Sequence, residues 1–182
     1  AAIHLAAPCA IDIKEQMIEW WGPILHEFYS GSEGNGQTYI DATDWLTHKG
    51  SVGRAITGTL QILDDQGNSL PCGEIGHVFF AGGRPFDYHN DNMKTASSRS
   101  AAGASTLGDM GYIDSDGYLY LTGRSNTAII SGGVNIYPKE VENALLQHPA
   151  IIDAVVMGLP DCDYGEKVVA AVQLQQGENI DL

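Results

Sequence analysis

The hydrophobic rhythm of the chain changes twice. Over residues 12–21, "DIKEQMIEWW", apolar side chains fall at Ile13, Met17, Trp20 and Trp21. That spacing of i, i+4, i+7 and i+8 draws one stripe along a helix. Asp12 is placed to cap its start and Gly22-Pro23 to end it. The run "ILHEFY" (24–29) reads as a buried strand that empties into "SGSEGNGQ". Helix, strand and Gly/Ser loop form the close of an α/β sheet, and in such sheets ligands lie beyond the carboxyl ends of the strands.

From about residue 50 the pattern becomes short strands punctuated by turns. "TLQILDDQGNSL" predicts a hairpin about Asp65-Gln66-Gly67-Asn68, "GEIGHVFFAGG" a further strand, and "GYIDSDGYLYLTG" a hairpin turning at Asp116-Gly117. This spacing predicts a small barrel or sandwich. After Arg124 the period shifts again. "TAIISGGVNI" reads as strand, Gly-Gly turn and strand. "YPKEVENALLQHP" reads as a helix with Pro138 near its first position, Glu140 and Glu142 in its first turn, and Val141 and Leu145 on its buried face. "IIDAVVMGLP" and "KVVAAVQLQ" predict two more strands, and "QQGENIDL" stops where another helix would begin. The expected fold class is mixed α/β and β. Residues 1–49 would end an α/β subdomain, 50–123 would form a β-barrel subdomain, and 124–182 a hinge and the first part of a small α+β domain.

Composition narrows the chemistry. With 182 residues, 43% hydrophobic and 18% charged, the chain has a globular make-up rather than a disordered one. A formal charge of −14 argues against a nucleic-acid partner, which demands Lys/Arg patches. No apolar run approaches the roughly 20 residues of a membrane span. Cys9, Cys72 and Cys162 are far apart, which predicts free thiols in a reducing cytoplasm rather than a disulfide framework or a zinc site. The N-terminal "AAIHLAAPCAIDIKEQ" carries no initiator Met and no signal-peptide pattern, so the chain reads as cut from the middle of something.

Several short motifs each allow two readings. "YSGSEGNG" (29–36) is either a plain turn or a phosphate cradle built from Gly31 and Gly34 amides with Ser30 and Ser32 hydroxyls. Glu33 would repel phosphate there unless a magnesium ion bridged them. The loop is neither a Rossmann fingerprint, a Walker A motif nor a nucleophile elbow. Asp109 either caps a turn or binds a vicinal diol through paired charge-assisted bonds. "DSDG" (114–117) starts like a calcium loop but lacks the later ligands. Arg124 is either a surface ion-pair partner or a fork for ribose or phosphate oxygens. "SGG" (131–133) is a tight turn, or a place where a ligand chain slides past bare backbone.

In order along the chain, "AAP" (6–8), "YSGSEG" (29–34), "GDMGYIDSDGYLYLTGR" (108–124) and "IISGGVNIYPKEVENAL" (129–145) resemble the adenylate-forming superfamily, and within it the acyl-CoA synthetases. The resemblance spans essentially the whole chain, from the middle of the family's large domain into its small one. It implies an activity in which MgATP activates a carboxylate to an acyl-adenylate with release of pyrophosphate, after which the small domain swings and the CoA thiol is delivered. It implies that Ala6, Ala7 and Pro8 flank adenine, that Tyr29 packs on it, and that Ser30, Gly31 and Ser32 meet the phosphates, with Ser32 and Glu33 in the catalytic set and Glu33 linked to magnesium. Asp109 would hold the ribose diol, Leu121 line the nucleotide pocket, and Arg124 act at the hinge with Asn126. Gly132 and Gly133 would border the pantetheine tunnel.

The chain also departs from the family pattern. Its loop reads Tyr29-Ser30-Gly31-Ser32-Glu33 where Tyr-Gly-Ser/Thr-Thr-Glu is usual. Asn126 and Thr127 replace the hinge Asp or Lys and a frequent Asp, and Ala104 stands where an aromatic is common. The family's lysine-bearing phosphate loop and its C-terminal catalytic lysine have no counterpart here. The expectation is therefore a portion of an acid–CoA ligase that does not complete adenylation alone. Its partners would be a small-molecule carboxylic acid and CoA. The alternatives are a peptide-synthetase or luciferase-like member, or a non-catalytic nucleotide-binding remnant.

Overall fold

In the computed structural model, which describes residues 1–177, the chain separates into two compact units, Ala1–Leu121 and Thr122–Leu182. The expected helix starting within "QQGENIDL" falls on residues 178–182 and lies outside the described residues.

The first unit opens with strand β1 (Ala2–His4), helix α1 (Ile11–Trp21), strands β2 (Leu25–Ser30) and β3 (Gln37–Asp41), short helix α2 (Ala42–Thr47) and strand β4 (Arg54–Thr57). β1 to β4 form one sheet in sequence order, with β1 parallel to β2 and the remaining pairs antiparallel. Its buried cluster is Ile18, Leu25, Ile40, Ala42, Trp45 and Tyr118, with Met17 and Tyr120 packed against it.

The stripe expected on α1 is corrected by this packing. Ile13, Trp20 and Trp21 are exposed, whereas Lys14 and Ile18 are the buried residues of the helix. Lys14 meets the sheet because its ammonium pairs with Glu27 and lies 4.7 Å above the centre of the Trp45 ring. A buried charge survives when it is paired in this way. Asp12 is not the cap either. The helix starts at Ile11 with Ala10 at the N-cap and no side-chain cap bond, leaving Asp12 inside the first turn, where it complements the helix dipole.

The second sheet contains β5 (Thr59–Leu63), β6 (Gly76–Ala81), β7 (Asp109–Ile113) and β8 (Leu119–Arg124), again in sequence order; helix α3 (Asn92–Ser97) interrupts the long β6–β7 connection. Ile62, Val78, Phe80 and Leu119 form its core. The barrel expected over 50–123 is instead an open four-stranded sheet. Four short strands are too few to curl round and meet, since even the small barrels of this kind use about five. Both expected turns are present. Asp64 Oδ1 accepts from the backbone N–H groups of Gln66 and Asn68, and Asp114 Oδ1 from those of Asp116 and Tyr118. The "DSDG" carboxylate is thus engaged in holding its own turn.

In the second unit, β9 (Ile129–Ser131) and β10 (Val134–Ile136) are joined through Gly132-Gly133. Helix α4 (Pro138–Leu145) follows with Pro138 at its first turn, its Val141 and Leu145 half-buried. The long hairpin of β11 (Ile151–Asp161) and β12 (Gly165–Leu174) completes a four-stranded sheet in the order β10-β9-β12-β11. Glu142 Oε1 accepts from the Val156 N–H and ties α4 to β11.

Candidate functional site

The parallel register of β1 on β2, with His4 opposite Glu27, brings the loop after β1 and the loop after β2 out at the same carboxyl edge of the sheet. The first of these is the Ala6-Ala7-Pro8 segment, exposed, with Ala6 at φ +74°. An L-residue in the left-handed region carries strain that persists where surrounding structure imposes it. The second is the Ser30–Gly36 loop. It turns through a Gly34 N–H to Gly31 O bond of 3.0 Å, with Gly34 at φ +69°. Asn35, fully buried, anchors the loop by donating from Nδ2 to Ser105 O at 3.2 Å, and a side chain at Gly36 would run into the Phe80 ring. The loop is thereby pressed against the β6 sheet while Ser32 stays exposed.

Tyr29 closes β2 and Asp109 opens β7, 80 residues apart, and the Tyr29 hydroxyl donates to Asp109 Oδ2 at 2.6 Å. Asp109 is buried, and one of its carboxylate oxygens is already oriented by this short charge-assisted bond. The Tyr29 ring lies 6.3 Å from that of Phe80 and packs on the same core as Leu121. Three of the expected nucleotide residues, Tyr29, Asp109 and Leu121, therefore converge on one patch of the first unit.

Glu33 is half-buried, its Oε2 accepting from the Ser32 hydroxyl at 3.2 Å and its Oε1 from the Tyr88 hydroxyl at 3.0 Å. Burial pushes its pKa up, but its own backbone N–H, the Tyr88 and Ser32 hydroxyls and the Lys94 charge together hold it below the usual carboxylate value. Glu33 is accordingly an ionised, hard oxygen donor beside a glycine loop. Those are properties that suit magnesium, which takes one or two carboxylates together with substrate phosphates. Another group, Asp161, Cys162 and Asp163, clusters at the β11–β12 turn, but Asp161 Oδ1 already accepts from the N–H groups of Asp163 and Tyr164 and serves the turn. Cys9, Cys72 and Cys162 are all free thiols.

The remaining expected residues belong to the second unit. Arg124 ends β8, and Asn126 lies in the 3-10 turn Ser125–Thr127, where the Thr127 hydroxyl donates to Arg124 O at 3.0 Å. Gly132 and Gly133 adopt φ +58° and +82°, and the Gly132 N–H donates to Tyr164 O at 2.9 Å. Among the described residues, Tyr88, Lys94 and Asn35 are the site neighbours that the sequence does not advertise. Their partners lie 55 to 70 residues away, so no local period marks them.

A family profile, "AMP-binding enzyme C-terminal domain", matches residues 140–182. The 3-oxocholest-4-en-26-oate–CoA ligase of Rhodococcus rhodochrous is 43% identical over 126 residues, covering 66% of this chain and 23% of that protein. The medium/long-chain-fatty-acid–CoA/3-oxocholest-4-en-26-oate–CoA ligase of Mycobacterium tuberculosis is 34% identical over 181 residues, covering 94% and 32%. The solved structure of o-succinylbenzoate CoA synthetase from Bacillus subtilis, in complex with its acyl-adenylate intermediate, overlays with a TM-score of 0.84 at 29% identity, covering 97% of this chain and 37% of that one. The chain thus spans between 23% and 37% of the length of these relatives. The chain belongs to the adenylate-forming (AMP-binding) superfamily, and within it to the acyl-CoA ligase kind.

Proposed function

We propose that the chain is the part of an ATP-dependent acid–CoA ligase that holds the nucleotide and begins the thioester-forming domain. In this reading the intact protein converts a carboxylate and ATP to an acyl-adenylate and pyrophosphate, then to a CoA thioester. The observation that carries the proposal is the Tyr29–Asp109 bond, which aims a buried carboxylate from beside a flat aromatic face. A buried carboxylate with two acceptor oxygens suits the two hydroxyls of a ribose, and the ring beside it suits a purine.

The other roles follow. Ala6, Ala7 and Pro8 border the adenine, and Leu121 closes the pocket. Ser30, Gly31 and Ser32 present hydroxyl and amide donors to the phosphates, since a glycine loop offers its backbone N–H groups freely. Glu33 would hold a magnesium ion, whose contribution when bound is to neutralise phosphate charge. Arg124 and Asn126 form the hinge between residues 1–123 and the domain beginning at 124. Gly132 and Gly133 offer bare backbone to the pantetheine arm of CoA. Three free thiols fit a cytoplasmic enzyme. Two relatives are named for a steroid side-chain acid, and one of these for fatty acids as well, so hydrophobic carboxylic acids come first in a substrate screen.

The test is calorimetric titration of the intact protein with AMP. Asp109→Ala should weaken binding about 10- to 100-fold, the loss expected when charged hydrogen bonds to two hydroxyls disappear. An unchanged affinity in a folded variant would remove the ribose role and the reading built on it.

A further inference from the structure

Tyr88 lies in the long connection between β6 and β7 and has no sequence motif around it, yet it is fixed from several directions. Its backbone N–H donates to the Thr95 hydroxyl at 2.9 Å, and the Phe86 ring meets its own edge-on at 5.4 Å. The Lys94 ammonium sits 4.0 Å above the centre of its ring. Lys94 is in turn held in α3, whose N-cap Asp91 accepts from the Lys94 N–H at 2.9 Å. From this mounting the Tyr88 hydroxyl reaches Glu33 Oε1 at 3.0 Å. A cation over the ring draws density from the phenol and makes its O–H a better donor, and the same cation favours an ionised Glu33.

Glu33 itself is half-buried on a loop whose neighbouring serines are exposed. The Ser32 hydroxyl is adjacent in the chain and moves with the loop. Tyr88 is the contact that ties the carboxylate to a separate element.

We infer that Tyr88, braced by Lys94, is a positioning residue for the Glu33 carboxylate, fixing which of its lone pairs remain for the metal–nucleotide complex. The inference rests on the reading of Glu33 as the magnesium-linked acid. The Tyr88 hydroxyl occupies one lone pair of Oε1 and limits rotation of the carboxylate, so the ion meets a group already oriented. Removing the hydroxyl while keeping the ring preserves the packing against Phe86 and Lys94 and frees the carboxylate to turn.

The experiment uses the intact protein and manganese as a spectroscopic stand-in for magnesium, titrated by electron paramagnetic resonance in the presence of saturating α,β-methylene-ATP. AMP binding is measured separately in EDTA. Tyr88→Phe should weaken manganese binding about 3- to 10-fold, the effect of one lost hydrogen bond to a charged group, and leave AMP binding in EDTA unchanged. Lys94→Met should shift manganese binding the same way by a smaller factor. If Tyr88→Phe weakens manganese and metal-free AMP binding equally, Tyr88 is a general support of the loop and the inference fails. If Glu33→Gln weakens manganese binding but Tyr88→Phe does not, the inference fails alone and the role of Glu33 stands. If Glu33→Gln also leaves manganese binding unchanged, the metal reading fails and the inference with it.

Discussion

At the scale of single residues, the site is marked by groups placed against their ordinary preferences. Ala6 holds φ +74° with a side chain that disfavours it. Replacing it with glycine, which visits that region freely, should stabilise the protein by about 0.5–1 kcal/mol, the relief of strain outweighing the greater freedom of the unfolded chain. Urea denaturation of Ala6→Gly checks this, and a destabilised variant would show that the methyl group makes contacts worth more than the strain. Asp109 is buried at the start of a strand, and Tyr29 reaches it over 80 residues. Asp109, Arg124, Ser32 and Glu33 stand out as candidates in the sequence because they stand in a recognisable order. Tyr88 was not, since "PFDYHND" reads as an ordinary polar loop and its contact with Glu33 exists only after folding.

At the scale of elements, the local patterns were legible wherever one face of an element decides its packing. The Gly-Gly turn at 132–133, the Pro138 helix start and the β11–β12 strands all lie where periodicity places them. The face of α1 was misread because Lys14 is a charged residue in a core position; Lys14, Met17 and Ile18 also share a helical spacing, but the partners Glu27 and Trp45 that make that face the inner one lie elsewhere in the chain. That the second sheet stays open was likewise invisible, because the spacing of short strands does not show which of them join one sheet, and β4 pairs with β3 in the first. The β7–β8 hairpin shows how such elements are fastened. Burial pushes the Asp114 pKa up, but the backbone N–H groups of Tyr118 and Asp116, the Tyr120 hydroxyl and His48 outweigh it and hold the carboxyl below its usual value of 3.8. A carboxyl depressed in the folded state contributes stability that is full above its unfolded pKa and is lost as pH falls through the folded one. Tyr120 behaves in the opposite sense. Burial and the nearby Asp114 push it from 10.0 up to about 12, so its contribution is full below pH 10 and lost as pH rises towards 12. Asp114→Asn should flatten the fall in unfolding free energy below about pH 4. Because it also removes the charge acting on Tyr120, it should soften the alkaline limb as well. Denaturation series in both pH ranges would show this, and an unaltered acid limb would contradict the role of the carboxylate.

At the scale of the molecule, the proposed function assigns different steps to the two units. The first brings together Tyr29, Asp109 and Leu121 on one patch and, separately, pins Glu33 between Ser32 and Tyr88. The second carries the left-handed glycine turn at the head of its sheet. With a net charge of −14, the chain would, under the proposed function, meet an anionic nucleotide through backbone amides and a few placed cations rather than a basic surface. The most direct measurement of the central claim is release of pyrophosphate from ATP by the intact protein, followed with and without a panel of fatty, aromatic and steroid side-chain acids. Release should depend on both ATP and acid, and Asp109→Ala should lower it roughly 100-fold or more, the scale of losing a charged group that holds the nucleotide in its reactive pose. A folded Asp109→Ala protein that releases pyrophosphate at the unaltered rate, or an unaltered protein whose release ignores every acid, would contradict the account.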